Sequence, residues 1–293
     1  MTVPERIAAL PCWQGNVQAE PLSGGLSNEI WKVTDAAGAH VVRLGKDYPA
    51  HHVSRAREAM ASRAAHAAGF APAVEFTAPG VMVTRFLDAR TWGPQDVAEN
   101  PVRVADLLRG FHRDMQAQVS GEAYFFWVFH VIRDYARTLT GTRHEARLPR
   151  FLRIAGAMEA EQVPLPIVFS HNDLLPANFL DDGARLWLID FEYAGWSTAL
   201  FDLAGVAANA EMDAAAAQDL LAAYFGQAPD AALARAFAAM QVAALIRETL
   251  WALVSDLHLA APGVDYTAYA AENLTRLEAS LDAFQAQFGK IGT

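Results

Sequence analysis

The residues best suited to chemistry crowd into one stretch, 169–192. It reads Phe169-Ser-His171-Asn-Asp173-Leu-Leu-Pro-Ala-Asn178, a short apolar segment, and then Ile189-Asp190-Phe-Glu192. Phe179-Leu180 and residues 185–189 read as two strands joined by an Asp181-Asp-Gly183 turn, a good hairpin signal. In an antiparallel hairpin the start of the first strand faces the end of the second, so Asn178 and Asp190 are expected side by side. Their amide oxygen and carboxylate suit a hard cation such as Mg²⁺, which takes few protein oxygens and lets phosphate complete its shell. Asp173 lies in the loop before this pair, placed to accept a proton from a hydroxyl that attacks the phosphate. One such residue alone is usually a turn cap. Three in this order and spacing are not.

Those residues need a frame. Over 16–45, alternating residues broken by Ser23-Gly24-Gly25 and by Ala36-Ala-Gly-Ala39 predict a β-meander of three short strands. A helix is predicted over 53–68, then strands at 70–76 and 81–87 around a Pro79-Gly80 turn. The remainder reads as helical. Val104, Leu107, Leu108, Phe111 and Met115 set an amphipathic helix over 101–118, and further helices are predicted at 122–140, 146–160, 199–225, 229–259 and 265–288. The chemistry-bearing stretch interrupts these helices at 166–195, as loops on a rigid scaffold often do. The expected division is a lobe of strands plus one helix at 1–86 and a larger, mainly helical lobe at 87–293.

Composition narrows the function. The chain has 293 residues, 53% of them hydrophobic, and a net charge of −10, which argues against nucleic acid as a partner. Residues 170–293 carry 16 acids against 5 bases, leaving the first part near neutral at +1. Cys12 stands alone, so neither an internal disulfide nor a cysteine metal cluster is expected. No run approaches the ~18 uninterrupted apolar residues of a membrane span. The opening Met1-Thr-Val-Pro-Glu-Arg6 has no basic segment followed by an apolar core, so a cytoplasmic location is the expectation.

A base Asp, a metal-binding Asn five residues on and a metal-binding Asp after a hairpin are the parts, in order, of protein-kinase-like phosphoryl-transfer sites. His171-Asn-Asp173, Asn178, Ile189-Asp-Phe-Glu-Tyr193 and Phe201-Asp202 together resemble the aminoglycoside phosphotransferase/choline kinase family, and most closely its choline/ethanolamine kinase branch. The resemblance extends over nearly the whole chain. It implies an α+β, protein-kinase-like two-lobed fold, with a small N-terminal antiparallel sheet plus a helix and a larger, mainly helical C-terminal lobe. By the resemblance 1–86 is the nucleotide-binding lobe and 87–293 the catalytic and acceptor-binding lobe. It implies ATP and Mg²⁺, with Asp173 catalytic and Asn178 and Asp190 on the metal. By the same resemblance Ser23, Gly24, Gly25, Ser27 and Asn28 form the loop over the nucleotide. Arg43 is then the phosphate-binding base, Glu58 its support, and 83–86 with Arg85 the hinge beside the adenine. His112 is read as structural.

For the acceptor, the wording around Trp251, Tyr266 and Tyr269 resembles the aromatic walls of an ammonium site. With Trp196 and with Glu192 or Glu211 these form a candidate cation box, because a quaternary ammonium is drawn to aromatic faces and carboxylates. The acidic second half suits a small cation. Two positions depart from the branch: Glu248 stands where a second Trp is expected, and Asn209 stands in place of a Glu. The expected activity is ATP-dependent phosphorylation of a small alcohol, choline or ethanolamine first. Thiamine, an aminoglycoside or another small alcohol is the alternative acceptor, and a catalytically silent nucleotide- or metabolite-binding protein the alternative of another class. A protein kinase is disfavoured because Asp190-Phe-Glu192 replaces Asp-Phe-Gly and no Ala-Pro-Glu follows. Oligomeric state is not legible in the chain.

Overall fold

Period-two alternation in the first 44 residues becomes three antiparallel strands in the computed structural model, which describes residues 2–22, 29–259 and 264–291. A short helix α1 (Val3–Ala8) precedes β1 (Gln18–Pro21), β2 (Glu29–Asp35) and β3 (Gly38–Leu44). Helix α2 (Arg55–Ala67) follows, then β4 (Val74–Ala78) and β5 (Val81–Arg85). The five strands form one antiparallel sheet in the order β1-β2-β3-β5-β4. Val33, Val42, Leu44 and Val83 bury one of its faces against Ile7 of α1. Arg43 lies between Val42 and Leu44 on β3, so alternation turns it to the other face. The β4–β5 turn requires Gly80: its φ is +72°, and a Cβ there would sit 2.9 Å from the Gly45 carbonyl oxygen. Helix α1 is not among the predicted elements, although Thr2 and Glu5 form a reciprocal capping box at its start.

The second lobe comprises β6 (Arg90–Thr91), α3 (Pro94–Glu99), α4 (Pro101–Met115), α5 (Val128–Leu139), α6 (Leu148–Ala160), β7 (Ile167–Ser170), β8 (Phe179–Asp181), β9 (Leu186–Leu188) and β10 (Gly195–Thr198). It continues with α7 (Ala199–Asn209), α8 (Ala214–Phe225), α9 (Ala231–His258) and α10 (Tyr266–Phe288). The architecture is the two-lobed, kinase-like α+β fold. Its larger core gathers around α9, which is long and apolar enough to cross a membrane by length and composition, yet 89% of its most apolar window is buried inside the protein. Ala61, Ala64 and Ala65 of α2 belong to this larger core rather than to the core of the sheet.

Two predicted helices differ from the observed ones. The helix expected at 199–225 is two helices, because Glu211 takes a left-handed φ of 50° and Asp213 caps a new start by accepting from the Ala216 N–H. The helix expected from 122 begins at Val128. The segment before it runs extended against β10, with Trp196 N–H donating to Tyr124 O at 2.7 Å and Phe126 N–H to Trp196 O at 2.8 Å. That approach leaves no room for a side chain on Gly195, whose Cβ would lie 2.4 Å from the Tyr124 oxygen.

Candidate active site

The hairpin pairs in the register expected of a tight Asp-Asp-Gly turn: Phe179 faces Leu188, Leu180 faces Trp187 and Asp181 faces Leu186. Phe179 and Leu188 are fully buried, worth roughly 1.5–3 kcal/mol each. One step beyond the last pair, Ile189 N–H donates to Asn178 O at 3.1 Å, so Asn178 and Asp190 emerge at the same end. Asn178 also donates its amide N–H to the Asp173 carbonyl at 2.8 Å, tying loop to hairpin and turning its amide oxygen the other way. Asp190 adopts φ 68°, a left-handed conformation that a short polar side chain tolerates. Asp173, Asn178 and Asp190 all line one cleft of about 600 Å³ between the lobes.

Beneath the loop, a buried carboxylate holds the backbone in place. Asp202 on α7 accepts from the N–H groups of His171 (2.8 Å) and Asn172 (2.7 Å) and pairs with the His112 ring at 2.8 Å. The other nitrogen of His112 meets the Tyr224 hydroxyl, so His112 is part of the scaffold. The Asn172 amide donates to the carbonyls of Tyr193 and Gly195, and His171 Nε2 to that of Ile189. Burial by itself would raise the Asp202 pKa, but the bonds from His112 and the backbone outweigh it and hold the carboxyl below its usual range. With the folded-state pKa below the unfolded one of ~4, this carboxylate stabilises the fold above that pH and loses its contribution as pH falls through the folded value. Asp202→Asn is therefore expected to cost about 3–5 kcal/mol at neutral pH and to flatten the acid dependence of stability. Urea denaturation at pH 7 and below pH 4 reads both effects; equal midpoints for variant and parent at pH 7 would contradict the scaffold role.

At the end of the cleft formed by β3 and α2, two arginines and three carboxylates interlock. The Arg43 guanidinium pairs with Glu58, with Asp190 at 2.9 Å and with Glu192 at 2.8 Å. Arg55 joins Glu58 at 2.6 Å and Glu192 at 3.0 Å from the opposite side. Burial works against the Arg43 charge, yet Asp190, Glu58 and Glu192 raise its pKa further above the usual arginine value. Glu192, predicted as a wall of the acceptor box, lines the cleft and is bound into this arginine network. Arg55 was not among the predicted residues; nothing in its local sequence marks it. The Arg85 side chain is exposed and its guanidinium meets Glu75 at 3.1 Å, while Phe86 N–H is taken by the Ala39 carbonyl. Ser23, Gly24, Gly25, Ser27 and Asn28 lie outside the described residues.

On the side of the cleft formed by α9, Arg247 and Glu248 come to Asp173. Arg247 Nη1 is 3.1 Å from Asp173 Oδ1 and 2.7 Å from Glu248 Oε2, and the Tyr269 hydroxyl donates to Glu248 Oε1 at 2.7 Å. Two Arg247 nitrogens, Nε and Nη2, are buried without hydrogen bonds; the guanidinium lies 4.4 Å from the centre of the Tyr193 ring, whose face takes their place. Burial carries the Asp173 carboxyl up to about 8, with Arg247 opposing and Glu248, Asp190 and Glu192 adding to the rise. Trp251 lines the cleft and donates its indole N–H to the Tyr193 hydroxyl at 2.8 Å. Tyr266 and Tyr269 stand edge-on to it, each 6.0 Å away, without lining the cleft. Trp196 does not reach the site: it sits in β10, edge-on to Phe169 at 5.4 Å. Asn209 donates to the Leu174 carbonyl, and Glu211 lies at the surface near Arg276.

The sequence profile described as choline/ethanolamine kinase matches residues 19–215. A probable ethanolamine kinase of Arabidopsis thaliana is 29% identical over 205 residues, covering 63% of this chain and 54% of that protein. Protein LicA of Haemophilus influenzae is 25% identical over 211 residues, covering 70% of this chain and 62% of that protein. The chain thus spans little more than half the length of these curated relatives. Among solved structures, a choline/ethanolamine kinase family protein from Mesorhizobium loti superposes with a TM-score of 0.79 at 30% identity, covering 95% of this chain and 93% of that one.

Proposed function

The chain belongs to the choline/ethanolamine kinase family, and from that premise we propose that it transfers the γ-phosphoryl group of ATP to the hydroxyl of a small cationic amino alcohol, choline or ethanolamine. The observation that carries this reading is the meeting of Asp173, Asn178, Asp190 and Arg43 in one cleft. Asp173 accepts the proton of the attacking hydroxyl, and its raised pKa makes it a stronger base than an exposed aspartate. Arg43, held by Glu58, presents positive charge to the phosphates. Asn178 and Asp190 fit Mg²⁺: they are hard oxygen donors at one hairpin end, and Asp190 Oδ1 is buried beside the Arg43 charge without an aligned hydrogen bond. Bound there, Mg²⁺ would neutralise charge on the phosphate oxygens. Positioning and charge stabilisation dominate such transfers, which is why a rigid loop matters.

The test is ADP release with ATP·Mg²⁺ against choline, ethanolamine, thiamine, aminoglycosides and homoserine. Turnover confined to the amino alcohols is the expected result. Turnover on thiamine or an aminoglycoside instead would keep the kinase and replace the acceptor. Nucleotide binding without turnover on any of them would favour a binding protein.

A further inference from the structure

Resting on the kinase reading, we propose that the acceptor nitrogen is a primary ammonium held by Glu248, which makes Glu248 the residue that selects ethanolamine-like over choline-like substrates.

Cations of the two kinds need different surroundings. A quaternary ammonium has no N–H and is bound by several aromatic faces turned toward one point. A primary ammonium has three N–H donors, each of which must find an acceptor when it leaves water. The acceptor end of this cleft is built for the second. Among the described residues four aromatic side chains line the cleft. Phe86 follows β5 and Phe191 packs on Phe111, which leaves Tyr193 and Trp251 beside Arg247 and Glu248, and the Tyr193 face is already covered by the Arg247 guanidinium. Trp196 is on another strand, and Tyr266 and Tyr269 back Trp251 without lining the cleft. The segments outside the described ranges, 23–28 and 260–263, contain no aromatic residue to complete a cage.

A carboxylate takes the place of the missing faces. Glu248 lines the cleft, and each of its oxygens accepts one bond, from Arg247 and from the Tyr269 hydroxyl, so each keeps further acceptor capacity. Arg247 and Tyr269 thereby hold the carboxylate in a fixed position. Because Arg247 Nη1 contacts both Asp173 Oδ1 and Glu248 Oε2, the two carboxylate oxygens lie within about 6 Å of each other. A two-carbon amino alcohol separates its oxygen from its nitrogen by about 3–4 Å. One such molecule therefore reaches both, its hydroxyl on Asp173 and its ammonium on Glu248.

The unmodified enzyme provides the first arm of the test. With ATP·Mg²⁺, kcat/KM is measured for ethanolamine and for its N-methyl, N,N-dimethyl and N,N,N-trimethyl derivatives. The value is expected to fall along the series and to be about 10–100-fold lower for choline than for ethanolamine, as charge-assisted hydrogen bonds are lost. The second arm is Glu248→Gln, which keeps an acceptor for Arg247 but removes the charge. Its loss on ethanolamine is expected in KM, about 10–100-fold, with the KM for choline changed far less. Choline used as well as ethanolamine, or a Glu248→Gln loss that falls on kcat or on both acceptors alike, overturns the assignment while leaving the kinase reading intact. No turnover on any of the four, with turnover on thiamine or an aminoglycoside, overturns the assignment and the amino-alcohol acceptor while keeping the kinase; no turnover on any acceptor overturns both.

Discussion

Asp173→Asn is expected to lower kcat by about 10²–10⁴-fold while leaving ATP affinity within a few-fold of the parent. The change is nearly isosteric, so the loop should keep its shape: the Asn178 amide bonds to the backbone carbonyl of residue 173, not to its side chain, and the loop is fixed from below by Asp202. What is lost is the capacity to take a proton. The side chain also meets Arg247, so the variant frees that guanidinium to pair with Glu248 alone. Some acceptor affinity will therefore change, and saturating acceptor is needed to isolate kcat. Single-turnover phosphoryl transfer with calorimetry of ATP binding separates the two quantities. A variant that retains parental kcat would remove Asp173 from the chemistry.

Asp190→Ala is expected to act on binding first. Asp190 and Asn178 stand at one hairpin end, and a carboxylate contributes more to a hard cation than an amide oxygen does. Loss of groups that merely support a metal ligand commonly costs 10–100-fold in metal affinity, so loss of a direct ligand should cost at least ~10²-fold. The nucleotide's gain in affinity on adding Mg²⁺ should vanish, and turnover with it. The neighbouring charges make the experiment specific. Arg43 keeps Glu58 and Glu192 as partners in the variant, so metal-free nucleotide binding should survive or tighten as the negative charge goes. Titration of ATP with and without Mg²⁺ reads this directly, and an unchanged Mg²⁺ dependence would refute the role.

Much of the site was legible because its parts are local. An Asp-Asp-Gly turn between two apolar segments determines a hairpin, and the hairpin determines that residues 178 and 190 share an end. Likewise the alternation around Val42 and Leu44 orients Arg43, and helical spacing selects Val104, Leu108, Phe111 and Met115 for the core. Misreadings arose where one residue has two plausible surroundings. Trp196 lies four residues from Glu192 in the chain and was expected with it in a box, but pairing of β10 with β7 carries it to Phe169. Glu192, expected to face a cation, lines the cleft while binding Arg43 and Arg55, partners its local sequence does not indicate.

Arg247 and Glu248 show the limit most clearly. In the chain they end an apolar run in a long helix, 74 residues from Asp173, and nothing in their spacing marks them as partners of the base. The amino-acid sequence by itself determined the hairpin, the end that Asn178 and Asp190 share, and the strand-rich and helical stretches, because turns, alternation and helical periodicity are satisfied by near neighbours; the two-lobed arrangement was implied by the resemblance. Only the tertiary structure decided which charges meet, since a buried guanidinium takes whichever carboxylates packing brings within hydrogen-bond reach. Here the packing of α9 beneath the loop brings Arg247 and Glu248 to one end of the cleft, and the packing of α2 against the helical lobe sets the arginine network at the other.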